Sequence, residues 1–165
     1  MNMYMTAGTF DFLKKMEGKY PNEKMVTMVN ENGALLLHET MEESEFKEPR
    51  RYEVLESIGE IKNEGFVVLN NIAVTDEGRP LFEHQFKNRG QKIQNVPGLI
   101  AFRSLRPKSS NTYVILTVWE NEIYYQKWQN SDLFIGVDTI KGTGIDAQQK
   151  IFASAPYVSK YSITK

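Results

Sequence analysis

One order of elements constrains this chain more than any other feature, and it fills the second half. From Asn63 onward, GFVVLNNIAVT, PGLIAFRSLRP, NTYVILTVWE and PYVSKYSIT have the apolar, β-branched character of strands. GRPLFEHQFKNRGQKI follows the first of them as a helix opened by Pro80, with Phe82 and Phe86 one turn apart and a stop near Gly90. NEIYYQKWQN follows the third as a helix carrying Tyr124 and Trp128 on one face. SDLFIGV reads as one more helical turn and KGTGIDAQQK as a polar loop. Strand, helix, two strands, helix, strand is the ferredoxin-like plan.

The first half starts the same way. MYMTAG reads as a strand and FDFLKKM as a short helix with Asp11 as its N-cap, closed by Gly18 and Pro21. KMVTMV and ALLLHET are strands on either side of the Asn-Gly turn in NENG. MEESEFKE is an acid-rich loop or edge strand. PRRYEVLESIGE reads as a second helix from Pro49, with Tyr52, Leu55 and Ile58 at helical spacing and Gly59 as its stop. The expectation is an α+β fold of two ferredoxin-like halves, an α+β half over 1–62 and a ferredoxin-like domain over 63–165. Their antiparallel sheets pack as a dimeric α+β barrel within one chain, which predicts a monomer with a pocket between sheet and helices.

Composition excludes several classes of function. A net charge of −1 provides no field for nucleic acid or an anionic membrane. The absence of cysteine removes disulfides, thiolate metal sites and a cysteine nucleophile together. No apolar run approaches the ~20 residues of a membrane span, and MNMYMTAGTF has no signal-peptide core. The chain reads as cytoplasmic. No metal-binding histidine pair and no Ser-His-Asp set is visible.

Two adjacent asparagines interrupt the most apolar strand. Side chains alternate between faces, so Asn70 shares a face with Phe66, Val68, Ile72 and Val74, and Asn71 shares the other with Val67, Leu69 and Ala73. A buried carboxamide left unpaired costs roughly 1–3 kcal/mol. Each therefore needs a partner on a neighbouring strand or a pocket ligand to receive its N–H₂. Trp128 packs a sheet or presents a flat wall to an aromatic ligand.

The stretches VLNNIAVTDEGRPLFEHQFKNR, PGLIAFRSLRP, TYVILTVWE and KWQNSDLF, with GTFDFLKK, LLHET and YEVLESIGEIK in the first half, resemble the antibiotic biosynthesis monooxygenase superfamily. Within it, the chain is similar to the two-domain heme-degrading monooxygenases of Gram-positive bacteria, also known as TRAP-type signal transduction proteins. The resemblance implies heme as cofactor and substrate. It implies that Asn70 donates a hydrogen bond beside the iron-bound oxygen ligand, and that Trp128 presses on the porphyrin. The relatives' iron-ligating histidine corresponds to Asp138, and no histidine follows His84.

His84 lies roughly 200° around its helix from Phe82 and is expected at the surface. His38 is expected at the core edge with a local hydrogen bond. Arg103 and Arg106, with Lys87, Arg89 and Lys92, form either a solvated basic rim or a receiver for carboxylates such as heme propionates. Three functions stay open. One is a heme-degrading monooxygenase of this superfamily. The second is a non-catalytic binding or regulatory protein that holds heme or another flat aromatic molecule. The third is cofactor-free oxygenation of a phenolic or polycyclic substrate.

Overall fold

The computed structural model describes residues 1–42, 46, 49–131 and 152–163. The turn read at SDLFIGV (beyond Ser131), the loop at KGTGIDAQQK, most of MEESEFKE and Asp138 lie outside the described residues.

Eight antiparallel strands form a ring in the order β1-β3-β2-β8-β5-β7-β6-β4. They are β1 (Asn2–Gly8), β2 (Lys24–Asn30), β3 (Gly33–Thr40), β4 (Arg50–Gly59), β5 (Gly65–Ala73), β6 (Leu99–Pro107), β7 (Thr112–Trp119) and β8 (Tyr157–Ile163). The helices are α1 (Phe10–Lys19), α2 (Arg79–Gln85), α3 (Arg89–Ile93) and α4 (Glu122–Gln129). Each half contributes four consecutive neighbours, β4-β1-β3-β2 and β8-β5-β7-β6. The halves meet at β2–β8 and β4–β6.

Alternation along each strand sorts the side chains into an interior and an outer layer. Met3, Met5, Met28, Leu37, Leu69 and Leu116 are among the residues that fill the barrel. Outside, α2, α3 and α4 cover β5, β6 and β7 through an aromatic-rich cluster that includes Phe82, Phe102, Tyr113, Trp119 and Trp128. On the opposite side α1 seats Leu13 on Met25, Ala34 and Leu36. Thr9 caps α1, accepting from the Phe12 amide at 3.3 Å; Asp11, expected in that role, lies in the first turn.

PRRYEVLESIGE is a strand, not the expected helix. It pairs with β1 on one side and β6 on the other. The reason is a β-bulge. Val54 faces Leu105 and Glu56 faces Ser104, so Leu55 has no residue opposite it. Tyr52 and Val54 point into the barrel, whereas beyond the bulge Ile58 packs against the outer cluster. One extra residue breaks the period of two and leaves apolar residues at a spacing of three.

The long helix expected after Pro80 is likewise two short ones. Asn88 between them takes a left-handed conformation, with φ 62°. Gly90, the expected stop, lies within α3, where a Cβ would come within 2.8 Å of Ile58 and 2.9 Å of Phe102.

One end of the barrel is closed by a buried ion pair between the halves. Arg103 on β6 is 3% exposed and points inward. Its Nε donates to Glu39 Oε2 of β3 at 2.6 Å, and its Nη1 donates to the Ile58 and Phe102 carbonyls at 2.9 and 2.8 Å. Removing one member of such a pair strands the other charge. Glu39→Ala is expected to lower the unfolding free energy by about 3–5 kcal/mol in urea, and the double variant E39L/R103M to recover most of it. A single-variant loss below about 1 kcal/mol would mean that the pair is solvated like a surface one.

Candidate functional site

The asparagine pair of β5 is resolved by the register of β8. Asn71 points into the barrel and is 3% exposed. Its Nδ2 lies 3.2 Å from the Leu69 carbonyl, 3.3 Å from the Tyr157 carbonyl and 3.1 Å from Ser159 Oγ. It is therefore Asn71 that finds its partners on a neighbouring strand.

Asn70 points outward and is half-buried. Ile115 of β7 sits directly across on one side and Val158 of β8 on the other. Ile115 is 4% exposed beneath the helical layer, and Val158 is 47% exposed. Asn70 thus stands where covered sheet gives way to open sheet. Its carboxamide has no hydrogen-bond partner among the described residues.

The helix beside this face is α4. Asn121 caps it, accepting from the amides of Ile123 and Tyr124 at 3.0 and 3.3 Å. Gly98, with φ 81°, seats it: a Cβ there would lie 2.1 Å from the Tyr124 ring. Trp128 is buried, its ring centroid 5.2 Å from that of Trp119 and 6.1 Å from that of Tyr125. The fully buried Trp119 donates from Nε1 to Thr117 Oγ1 at 2.8 Å. Tyr125 rather than Tyr124 is the buried tyrosine of α4, and burial pushes its hydroxyl pKa up. Val68 and Ile72, which flank Asn70 on its face, belong to the same cluster as Trp128.

A groove of about 430 Å³ runs along the open part of this face, lined by Phe66, Val158 and Tyr161 and by polar residues that include Glu31, Glu122 and Lys160; Asn70 and Trp128 lie beside it and do not line it. Its far wall is the β2–β3 turn. Asn30 Nδ2 holds that turn to β8 by donating to the Lys160 carbonyl at 3.1 Å, and Asn30 Oδ1 accepts from the Asn32 amide at 2.9 Å. Lys160 Nζ lies 3.9 Å from Glu122 and 5.6 Å from the Tyr125 ring centroid.

A second groove, of about 350 Å³, lies between β4, β6 and α2, over Phe82 and Phe86 with Leu55, Glu56 and His84 at its margin. Arg106 at this end is bound to Glu83 and Glu53, and Tyr113 donates its hydroxyl to Glu83. The Arg106 hydrogen bond holds the Glu83 carboxyl below its ordinary value, and the Tyr113 hydrogen bond adds to this. Burial and then Glu83 push the Tyr113 hydroxyl up.

The other residues singled out in the sequence lie elsewhere. His38 is 1% exposed under the α1 side of the barrel, with Nε2 3.1 Å from Glu23, and His84 is exposed on α2. Arg103 lies inside the barrel with Glu39, away from the helix-covered face. Among the described residues no helix is long and apolar enough to cross a membrane.

Residues 65–136 match the sequence pattern described as antibiotic biosynthesis monooxygenase. This stretch is a domain of that family. The chain is 28% identical over 131 residues to a heme-degrading monooxygenase of Listeria monocytogenes serovar 1/2a, covering 79% of this chain and 78% of that one. It is 24% identical over 134 residues to the signal transduction protein TRAP of Staphylococcus epidermidis, covering 81% and 80%. Among solved structures, that of a major regulator of staphylococcal pathogenesis superposes with a TM-score of 0.82 at 22% identity, covering 99% of this chain and 98% of that one. Such a likeness extends the fold to the whole chain.

Sequence reasoning missed Val158 and the groove beside it, because the pairing of β8 with β5 leaves no local signal. Glu83 supplies a pH test. Its carboxyl is depressed in the folded chain, so the stability it contributes is complete well above its ordinary pKa of 4.5 and is lost as pH falls through the lower folded value. Wild type is expected to lose stability on acidification through this range more steeply than Glu83→Gln, compared by thermal melts at each pH. Parallel acid limbs would refute it.

Proposed function

We propose that this protein binds a flat aromatic molecule of the heme class against the β5–β8 face, with Asn70 as its polar contact and Trp128 in its aromatic wall. The observation that carries this reading is the unpaired carboxamide of Asn70 at the edge of the helical cover, opposite the exposed Val158. Amid apolar side chains, a polar group without a partner among the described residues is the pattern of an orienting contact in a ligand site. The likeness to a heme-degrading monooxygenase supports the choice of ligand class.

Heme fits this site in part. The open groove and its neighbouring aromatic residues suit a flat ring. The imidazole that would hold its iron is missing, since the chain has two histidines. One is buried against Glu23 on the far side of the barrel and the other is exposed on α2. The described residues therefore suit the ring but offer no histidine nitrogen to its metal, and no step of heme turnover is assigned to them. In this reading the chain's own residues orient and enclose: Asn70 offers its carboxamide to the ligand, and the packed Trp119, Tyr125 and Trp128 back one side of the site with apolar surface.

A second reading, oxygenation, is supported by the family match over residues 65–136. It would place the same face around a substrate that reacts with O₂. Hemin titration of the purified chain separates the readings. Saturation near one equivalent is expected, with Asn70→Ala binding about five- to tenfold more weakly. Absorbance that stays that of free hemin would sink the proposal. A bound pigment that survives reductant and O₂ supports a binding protein, and its conversion to a cleaved product establishes the oxygenase.

A further inference from the structure

We infer that this site recognises its ligand by the ring and not by a metal at its centre, so that iron-bearing and metal-free porphyrins bind alike. This rests on the reading above that a flat aromatic ligand occupies the β5–β8 face.

Protein-held heme iron takes its axial ligands from imidazole, thiolate, thioether or phenolate groups, and an unprotonated amine also has the lone pair required. The chain has no cysteine. Neither histidine faces this site. Met3, Met5 and Met28 are enclosed in the barrel interior, and Met25 lies beneath α1. Tyr125 packs against Trp119, Trp128 and Phe66, and its burial favours the protonated hydroxyl over the phenolate a metal needs. Tyr113 is bound to Glu83 beside the other groove. Tyr161 borders this groove but packs against the barrel interior, and Tyr124 is seated on Gly98. Lys160 does share the face, since it lies directly across from Val68. Its Nζ sits 3.9 Å from a carboxylate and 5.6 Å from the centre of a ring face. Both contacts already engage its head group, turning it to Glu122 and the Tyr125 ring.

What the face does offer is independent of any metal. Phe66 and Val158 present apolar surface, the indole of Trp128 lies in the adjoining cluster, and the β2–β3 turn closes one side of the groove. Asn70 adds a carboxamide able to donate to any acceptor at the ring. Protoporphyrin IX has the same outline, the same carboxylates and the same π-face as hemin, so it makes all of these contacts.

The test is a parallel titration of the full chain with hemin and with protoporphyrin IX, followed by absorbance and by quenching of tryptophan fluorescence. Dissociation constants within about threefold of each other are expected. Val158→Trp should weaken both by at least about tenfold, because it fills the open face from an exposed position that the fold tolerates. Hemin bound more than about tenfold more tightly than the metal-free ring, with the sharpened absorption of a ligated iron, would overturn the inference and leave the binding reading standing. If neither pigment binds, the inference and the binding reading both fail. If both bind and Val158→Trp changes neither, the pigment sits elsewhere and the inference is overturned as well.

Discussion

Closure of the strand ring is the constraint on which the rest depends. Every strand has a neighbour on each side, with the β2–β8 seam the shortest, at Met28–Ile163 and Val29–Ser162, so no strand is an open edge along its whole length. Closure also fixes an inside and an outside for each residue. Adjacent side chains on β5 must then enter different environments. Asn71 enters an interior where strand carbonyls and a serine hydroxyl receive its donors. Asn70 emerges onto a face where no described residue receives its donors. Two chemically identical residues acquire different surroundings from the geometry of one closed sheet.

Much of this architecture could be read from residue patterns. Apolar, β-branched runs marked β5, β6 and β7, and Asn-Gly marked the β2–β3 turn. The order of elements pointed to the ferredoxin-like plan and to two halves sharing one barrel. The failures have physical causes. In β4 the bulge at Leu55 disrupted the period that identifies a strand. Between α2 and α3 the left-handed Asn88 ended a helix where residue composition gave no warning. Asn70 and Trp128 could be placed on a face from periodicity, but Val158 and Lys160 could not. Their position depends on long-range pairing with a strand some ninety residues away in sequence, and nothing local encodes that register. Arg103 shows the converse limit. The sequence suggests a solvated rim or a ligand's carboxylate for it, whereas its partner is a carboxylate from the other half of the chain.

The two halves share a plan and differ in what they leave open. In the first, α1 lies over β2 and β3, and His38 beneath it is bonded to Glu23. In the second, the helices crowd toward β6 and β7 and leave β8 with an exposed outer surface. That asymmetry, more than any single residue, is what the proposed ligand site rests on. Relatives that bear the names of an enzyme and of a signalling protein share this fold. The scaffold is thus compatible with more than one use, and the groups that line the open face decide between them.

The bulge in β4 has a consequence for how this fold can vary. Leu55 opposes no residue of β6, so the ladder does not count it. A lineage could lose that position, and Glu56, whose Oε1 accepts from the Gly90 amide at 2.8 Å, would keep its place while Ile58 would still meet the outer layer. Elsewhere in β4 a one-residue length change would turn the remainder of the strand inside out. The lip of the second groove is therefore a place where evolution can adjust a surface without renegotiating the interior.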